Sequence, residues 1–203
     1  MTAPSSPSLP ARIQDLLSAL YGVDAPSVDR FVRADDGEGA REVLLVRSRR
    51  GVVELQLCLP RESLSPQGAL SLDVLAQVAE GVSHFLLLAE RSRRELPATQ
   101  LELEIQAEVD KFLLLAGVLA DKPAERTRLE AVYTRLFDRV AFVHAPGTER
   151  GERYRLANKL AARFLRAVAR DLIRHGVTAS LRRSLRRFFD AGQREKIELA
   201  RAA

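Results

Sequence analysis

A single cysteine, Cys58, in 203 residues excludes a disulfide framework and a cysteine-rich zinc site. The longest apolar run, residues 112–120, is interrupted by a glycine and falls short of the roughly 18 apolar residues that span a bilayer. The opening MTAPSSPSLP has neither the basic nor the apolar region of a signal peptide, so the expectation is a soluble, cytoplasmic chain without a membrane partner. Nucleophilic-triad spacing, glycine-rich dinucleotide motifs, CxxC pairs and the RNP, KH, zinc-finger and helix-turn-helix signatures are all missing. No internal repeat is present. Lysine is scarce: four of the 32 basic residues. Arginine excess of that kind arises from base composition as readily as from phosphate recognition.

What is present is an ordinary globular composition, 46% hydrophobic and 29% charged, with length enough for one sizeable core. The net charge of +5 conceals a split. Residues 150–203 carry 15 Lys and Arg against 5 Asp and Glu, leaving 17 against 22 for residues 1–149.

Residues 1–8, rich in Ser and Pro, have nothing to bury and read as a disordered tail. A helix over about 10–21 follows, with Ile13, Leu16, Leu17 and Leu20 on one face and Gly22 as its stop. A short strand is expected around Arg30–Arg33. The segments 42–48 and 52–59 flank Arg49-Arg50-Gly51 and read as a hairpin ended by Pro60. Val53, Leu55, Leu57 and Leu59 share one of its faces.

The spine is the stretch 70–91, apolar around most of its circumference, with Asp73, Gln77, Glu80, His84 and Arg91 in one narrow polar arc. That arc lacks water and needs partners. Residues 101–110 alternate like a strand, but Glu, Gln, Leu and Ala are helix formers, and Thr99 with Glu102 has capping-box spacing. This segment is therefore expected to be a helix packed on two sides, with polar stripes Glu104/Glu108/Lys111 and Glu102/Gln106/Asp110. Pro123 is expected to open a helix with Leu129, Val132, Leu136 and Val140 inward. A long helix over 152–175 stops at Gly176, and a shorter one from Thr178 ends at Gly192. Residues 193–203 read as a frayed helical tail. The expected fold is α+β: one domain over 9–192, with a small antiparallel sheet at about 29–60 and a helical bundle at about 69–192.

Two groups of residues are candidates for function. In the helix 152–175, Arg155, Lys159, Arg163, Arg166, Arg170 and Arg174 recur every three or four residues, and Arg182, Arg183, Arg186 and Arg187 extend the positive surface. Such a row repels itself unless something negative sits opposite. The bland reading is a solvated face; the others are internal pairing with residues 102–110, an acidic protein surface, a second copy, or nucleic acid held by phosphate without base readout. The second group is Glu80 and His84, one turn apart on one face, which suit a base–orienter pair or a metal. Glu104 and Glu108 would supply oxygens from the next helix. The competing reading is a His84 hydrogen-bonded in the core. His144 reads as an exposed loop residue and His175 as a helix-terminal one, while Asp171 calls for a buried partner such as Arg153. On balance the sequence describes a non-enzymatic interaction or regulatory module with no cofactor; a metal-dependent enzyme and a nonspecific nucleic-acid binder are the alternatives.

Overall fold

The computed structural model describes residues 7–35, 37, 41–49, 52–64, 70–119 and 125–203. Most of the expected N-terminal tail and the tip of the hairpin lie outside them, as does Pro123. The fold is α+β and helix-dominated. The elements are α1 (Leu9–Tyr21), β1 (Val32–Asp35), β2 (Val43–Arg49), β3 (Val52–Pro60), α2 (Arg61–Leu64), α3 (Leu72–Arg93), α4 (Gln100–Leu115), α5 (Arg126–Tyr133), α6 (Glu149–His175), α7 (Ala179–Asp190) and α8 (Gln193–Ala202).

Helix boundaries follow capping chemistry. Ser8, Ser71, Thr99, Thr148 and Thr178 each accept a hydrogen bond from a backbone N–H in the first turn of the following helix, satisfying donors that have no intrahelical partner. At Thr99 the box is complete. Glu102 N–H donates to Thr99 Oγ1 at 3.2 Å, and Thr99 N–H donates to Glu102 Oε2 at 2.8 Å. These contacts settle 101–110 as a helix, and the capping box overrides the strand-like alternation.

The sheet has the order β1-β3-β2. The hairpin pairs antiparallel as expected, Leu44 opposite Leu57, but β1 lies parallel to β3, Val32 opposite Leu57. The sheet is therefore mixed rather than antiparallel. The strand expected at Arg30–Arg33 begins two residues later, because Val28–Arg30 forms a 3-10 turn.

Leu57 and Leu59 of β3 are buried against α3. Gly81 permits the approach: a Cβ there would stand 2.8 Å from Leu57 Cδ1 and 3.3 Å from Leu59 Cδ2. By length and composition α3 could cross a bilayer, but 56% of its most apolar window is buried inside the protein. That is how a core helix uses such a sequence. In α1, Leu16 is exposed and Gln14 is buried instead, donating to the Pro26 carbonyl at 2.9 Å and accepting from Val28 N–H at 2.7 Å. α5 ends at Tyr133 in a π-turn, Thr134–Asp138, so Val140 lies beyond the helix expected to contain it. The expected frayed tail is α8. It packs on α4 and α6 with Lys196 and Ala200 buried.

Candidate functional site

α4 is buried on nearly every side, and its two polar stripes enter two different networks. On the Glu102/Gln106/Asp110 side, Asp110 Oδ2 accepts from Ser83 Oγ at 2.6 Å. Its Oδ1 accepts from Tyr21 Oη and from Gln106 Nε2, the latter at 2.9 Å. Lys196 Nζ donates to Gln106 Oε1 at 2.7 Å and to the carbonyls of Phe188 and Phe189. Arg91 pairs with Glu102 at 3.3 Å and donates to the Ala191 carbonyl at 2.6 Å. Burial raises the Asp110 carboxyl to about 6 against three donors that pull it down, and burial lowers the Lys196 ammonium to about 7. Apart from Arg91 Nε, which has no hydrogen-bond partner, the side chains around Asp110 and Lys196 have their hydrogen bonds made, which is the signature of architecture.

The Glu104/Glu108/Lys111 stripe differs. It faces α3, the β2 entrance and α6. Lys111 Nζ bridges Glu80 Oε2 at 2.9 Å and Glu108 Oε1 at 2.8 Å. Glu80, His84 and Glu104 each place a donor atom within 4.8 Å of the others, with His84 Nε2 3.8 Å from Glu104 Oε2. Glu104 hydrogen-bonds the Tyr154 hydroxyl. Glu42, just before β2, has a side chain only 9% exposed, 4.0 Å from Arg41. A cavity of about 130 Å³, lined by Glu42, Glu80, Glu108, Lys111, His144 and Tyr154 among others, adjoins the cluster.

This group is left incomplete. Among the described residues, five buried side-chain polar atoms have no hydrogen-bond partner, and Glu42 Oε2, His84 Nε2 and Arg153 Nε are three of them. Burial together with the Glu80 charge pushes Glu42 up to about 8, and the same two causes push Glu104 up to about 7. Burial lowers His84. Burial opposes ionisation of Glu80 too, but the charge and hydrogen bond of Lys111 together with the charges of His84 and Arg41 outweigh it and hold Glu80 below the usual carboxylate range.

The sequence candidates thus divide. Glu80, His84 and Glu104 are brought together, whereas Glu108 is held aside by Lys111 and by Asn158, whose Nδ2 lies 3.4 Å away. Glu42 and Tyr154 were not found from the sequence: Glu42 arrives from a loop and Tyr154 from α6, and neither follows the helical spacing that exposed the others. His144, expected in solvent, is half-buried at the cavity with its ring 5.1 Å from that of Tyr154.

The cationic candidates divide as well. Lys159, Arg163, Arg166, Arg170, Arg174, Arg182 and Arg183 are exposed. Arg155 is spent on the carbonyls of His144 and Gly151 at 3.1 and 2.9 Å. Arg186 is spent on the Leu20 carbonyl at 2.7 Å, and Arg187 on Glu195 at 3.3 Å. The internal pairing of this row with residues 102–110 does not form, because those carboxylates are buried on other faces of α4. Asp171 is exposed and pairs with His175 at 3.4 Å, so it needs no buried partner. The chain matches no protein-family model, no curated protein and no solved structure.

Proposed function

We propose that this protein is a non-enzymatic docking module whose α6–α7 face binds an acidic, amphipathic segment of a partner protein. The observation that carries this reading is the unspent row from Lys159 to Arg183. None of its seven cations makes an ion pair or hydrogen bond among the described residues. Arg41, Arg47, Arg93, Arg94, Arg126 and Arg135, near the sheet and α3–α5, by contrast each pair with a carboxylate.

The row is flanked by apolar-floored grooves. Between α6, α7 and α8 a groove of about 510 Å³ has Phe164, Val168, Leu181 and Leu199 in its floor, with Arg170 and Arg174 at its rim. Between α5 and α6 a second, of about 220 Å³, is floored by Leu129, Tyr133, Ala169 and Ile173 beside Arg166 and Arg170. A segment alternating carboxylates with aliphatic side chains fills such grooves and neutralises their rims. Nucleic acid fits less well, since Phe164 and Phe188 are buried rather than offered for base stacking.

The test is fluorescence anisotropy with a designed Glu/Leu amphipathic peptide and, separately, a DNA duplex, beside a mass measurement across concentration. Micromolar peptide binding at low salt, weakened at least tenfold by Arg166→Glu/Arg170→Glu, is the expected result. Tighter binding to the duplex overturns the reading in favour of phosphate recognition. A dimer dissolved by the same reversals makes the partner a second copy, and no binding by any probe rejects a docking role.

A further inference from the structure

The geometry points to a divalent transition-metal site formed by Glu80, His84 and Glu104, with Glu42 as the reserve oxygen. Three observations carry it, and each is independent of the α6–α7 face.

The first is the orientation of His84. Its Nε2 is buried without a hydrogen-bond partner, and the Leu103 backbone lies within reach of the ring. With the proton on Nδ1, Nε2 presents a lone pair to the cluster. A metal-binding histidine is held this way, with its other nitrogen donating to a carbonyl or carboxylate.

The second is what the lone pair faces. Glu104 Oε2 lies 3.8 Å away, too far for a hydrogen bond and near enough for one cation to bridge both atoms. Two ligands of one ion, each at about 2.1 Å, stand about 3.4 Å apart at a tetrahedral angle. The His84–Glu104 spacing is a few tenths of an ångström wider than that. The trio lies within 4.8 Å, so side-chain rotations of up to about 1.5 Å close the set around an ion. The third observation is Glu42. Its side chain is nine-tenths buried, its Oε2 makes no hydrogen bond and has only Arg41 4.0 Å away, and it lines the same cavity as Glu80.

One imidazole nitrogen with carboxylate oxygens selects Zn²⁺, Mn²⁺ or Fe²⁺ over Mg²⁺, whose preference is for oxygen and water alone. Lys111 fixes Glu80 in its ionised form, and the incoming ion must overcome the charge of that ammonium. Glu108, neutralised by the same Lys111, is excluded from the ligand set.

The experiment uses the full chain, stripped with chelator and titrated with Zn²⁺, Mn²⁺ or Mg²⁺ by calorimetry, with Co²⁺ absorption as the spectroscopic readout. The expected result is one Zn²⁺ or Mn²⁺ per chain, a visible Co²⁺ band, and little response to Mg²⁺. His84→Gln and Glu104→Gln should each weaken binding at least tenfold, and Glu42→Gln by less. Each variant's helical circular dichroism is checked first, and Glu42→Gln, at the margin of the cluster, keeps the test open if an inner variant fails to fold. His175→Ala and Cys58→Ser control for surface ligands and should bind as the parent does. Absence of binding at millimolar metal overturns the site, as does binding that survives His84→Gln and Glu104→Gln or is lost with His175→Ala.

Discussion

At the scale of single residues, the two buried networks either side of α4 have opposite characters. Around Asp110 and Lys196 each side chain is matched: Lys196 is fully buried, donates to three acceptors and sits 4.5 Å from the centre of the Phe188 ring. The matching carries a pH dependence. Lys196 is lowered from 10.5 to about 7 by burial, against the raising influence of Asp110, Glu102 and Asp190 and with Arg91 lowering it further. Between about pH 10 and pH 7 the unfolded chain takes up a proton that the folded chain does not, so stability from this group is present above about 10 and is lost as pH falls to about 7. Lys196→Met removes the titration and leaves the carbonyls of Phe188, Phe189 and Gln106 unpaired, at a cost of about 1–3 kcal/mol. Urea titrations across that range should show the variant less stable than the parent at pH 10, with the gap narrowing towards pH 7. A gap of constant size would mean that the ammonium is charged in the folded protein throughout. Asp110 has the opposite sign, its contribution falling between about pH 4 and 6 as the unfolded carboxyl ionises first.

At the scale of elements, periodicity and capping account for what the sequence revealed. α4 was legible because Thr99 and Glu102 form a reciprocal pair that only a helix start uses, and because its two stripes imply burial on two sides. Glu80, His84 and Glu104 were legible as neighbours because Glu80 and His84 stand at i,i+4 on α3 and Glu104 lies on the polar stripe of the next helix. Three things were not legible. β1 runs parallel to β3 because the chain crosses the sheet before the hairpin, and no local pattern records strand direction. The π-turn at Thr134–Asp138 has no spacing signature. Glu42 and Tyr154 reach the cluster through tertiary packing alone. The first turn of α6 is a further case: Gly151 sits so close beneath the preceding loop that a Cβ would stand 2.0 Å from the Ala145 carbonyl oxygen and 2.8 Å from Thr148 Oγ1. Gly151→Ala should therefore lose the Thr148 cap, whose hydroxyl accepts from Gly151 N–H at 3.0 Å, and push the loop bearing His144 off Arg155. A loss of about 2 kcal/mol in denaturant stability is expected, although alanine is the better helix former by about 1 kcal/mol. A neutral or stabilising substitution would show that the loop yields freely.

At the scale of the whole molecule, the charge split has a structural meaning that composition alone left open. The carboxylates of residues 102–110 are drawn inward to Lys111, Arg91 and the Asp110 network, so they cannot offset the cations of α6 and α7, which stay outside. α8, read from its charges as a loose tail, instead belongs to the core because its Lys196 reaches in to Gln106. A fold that leaves Lys159, Arg163, Arg166, Arg170 and Arg174 along one edge of a helix accepts repulsion of a few tenths of a kcal/mol per neighbouring pair. Arg166→Glu/Arg170→Glu turns two repulsive neighbour pairs, 163/166 and 170/174, into attractive ones and leaves 166/170 a like-charge pair of the opposite sign. Its stability in guanidine-free urea titrations at low salt should therefore rise by about 0.5–1 kcal/mol, even as binding to an acidic segment is lost. The gain should shrink in 0.5 M NaCl, where screening shortens the reach of each charge to a few ångströms. If the reversal destabilises the protein instead, those arginines have partners within the fold and the surface is architecture.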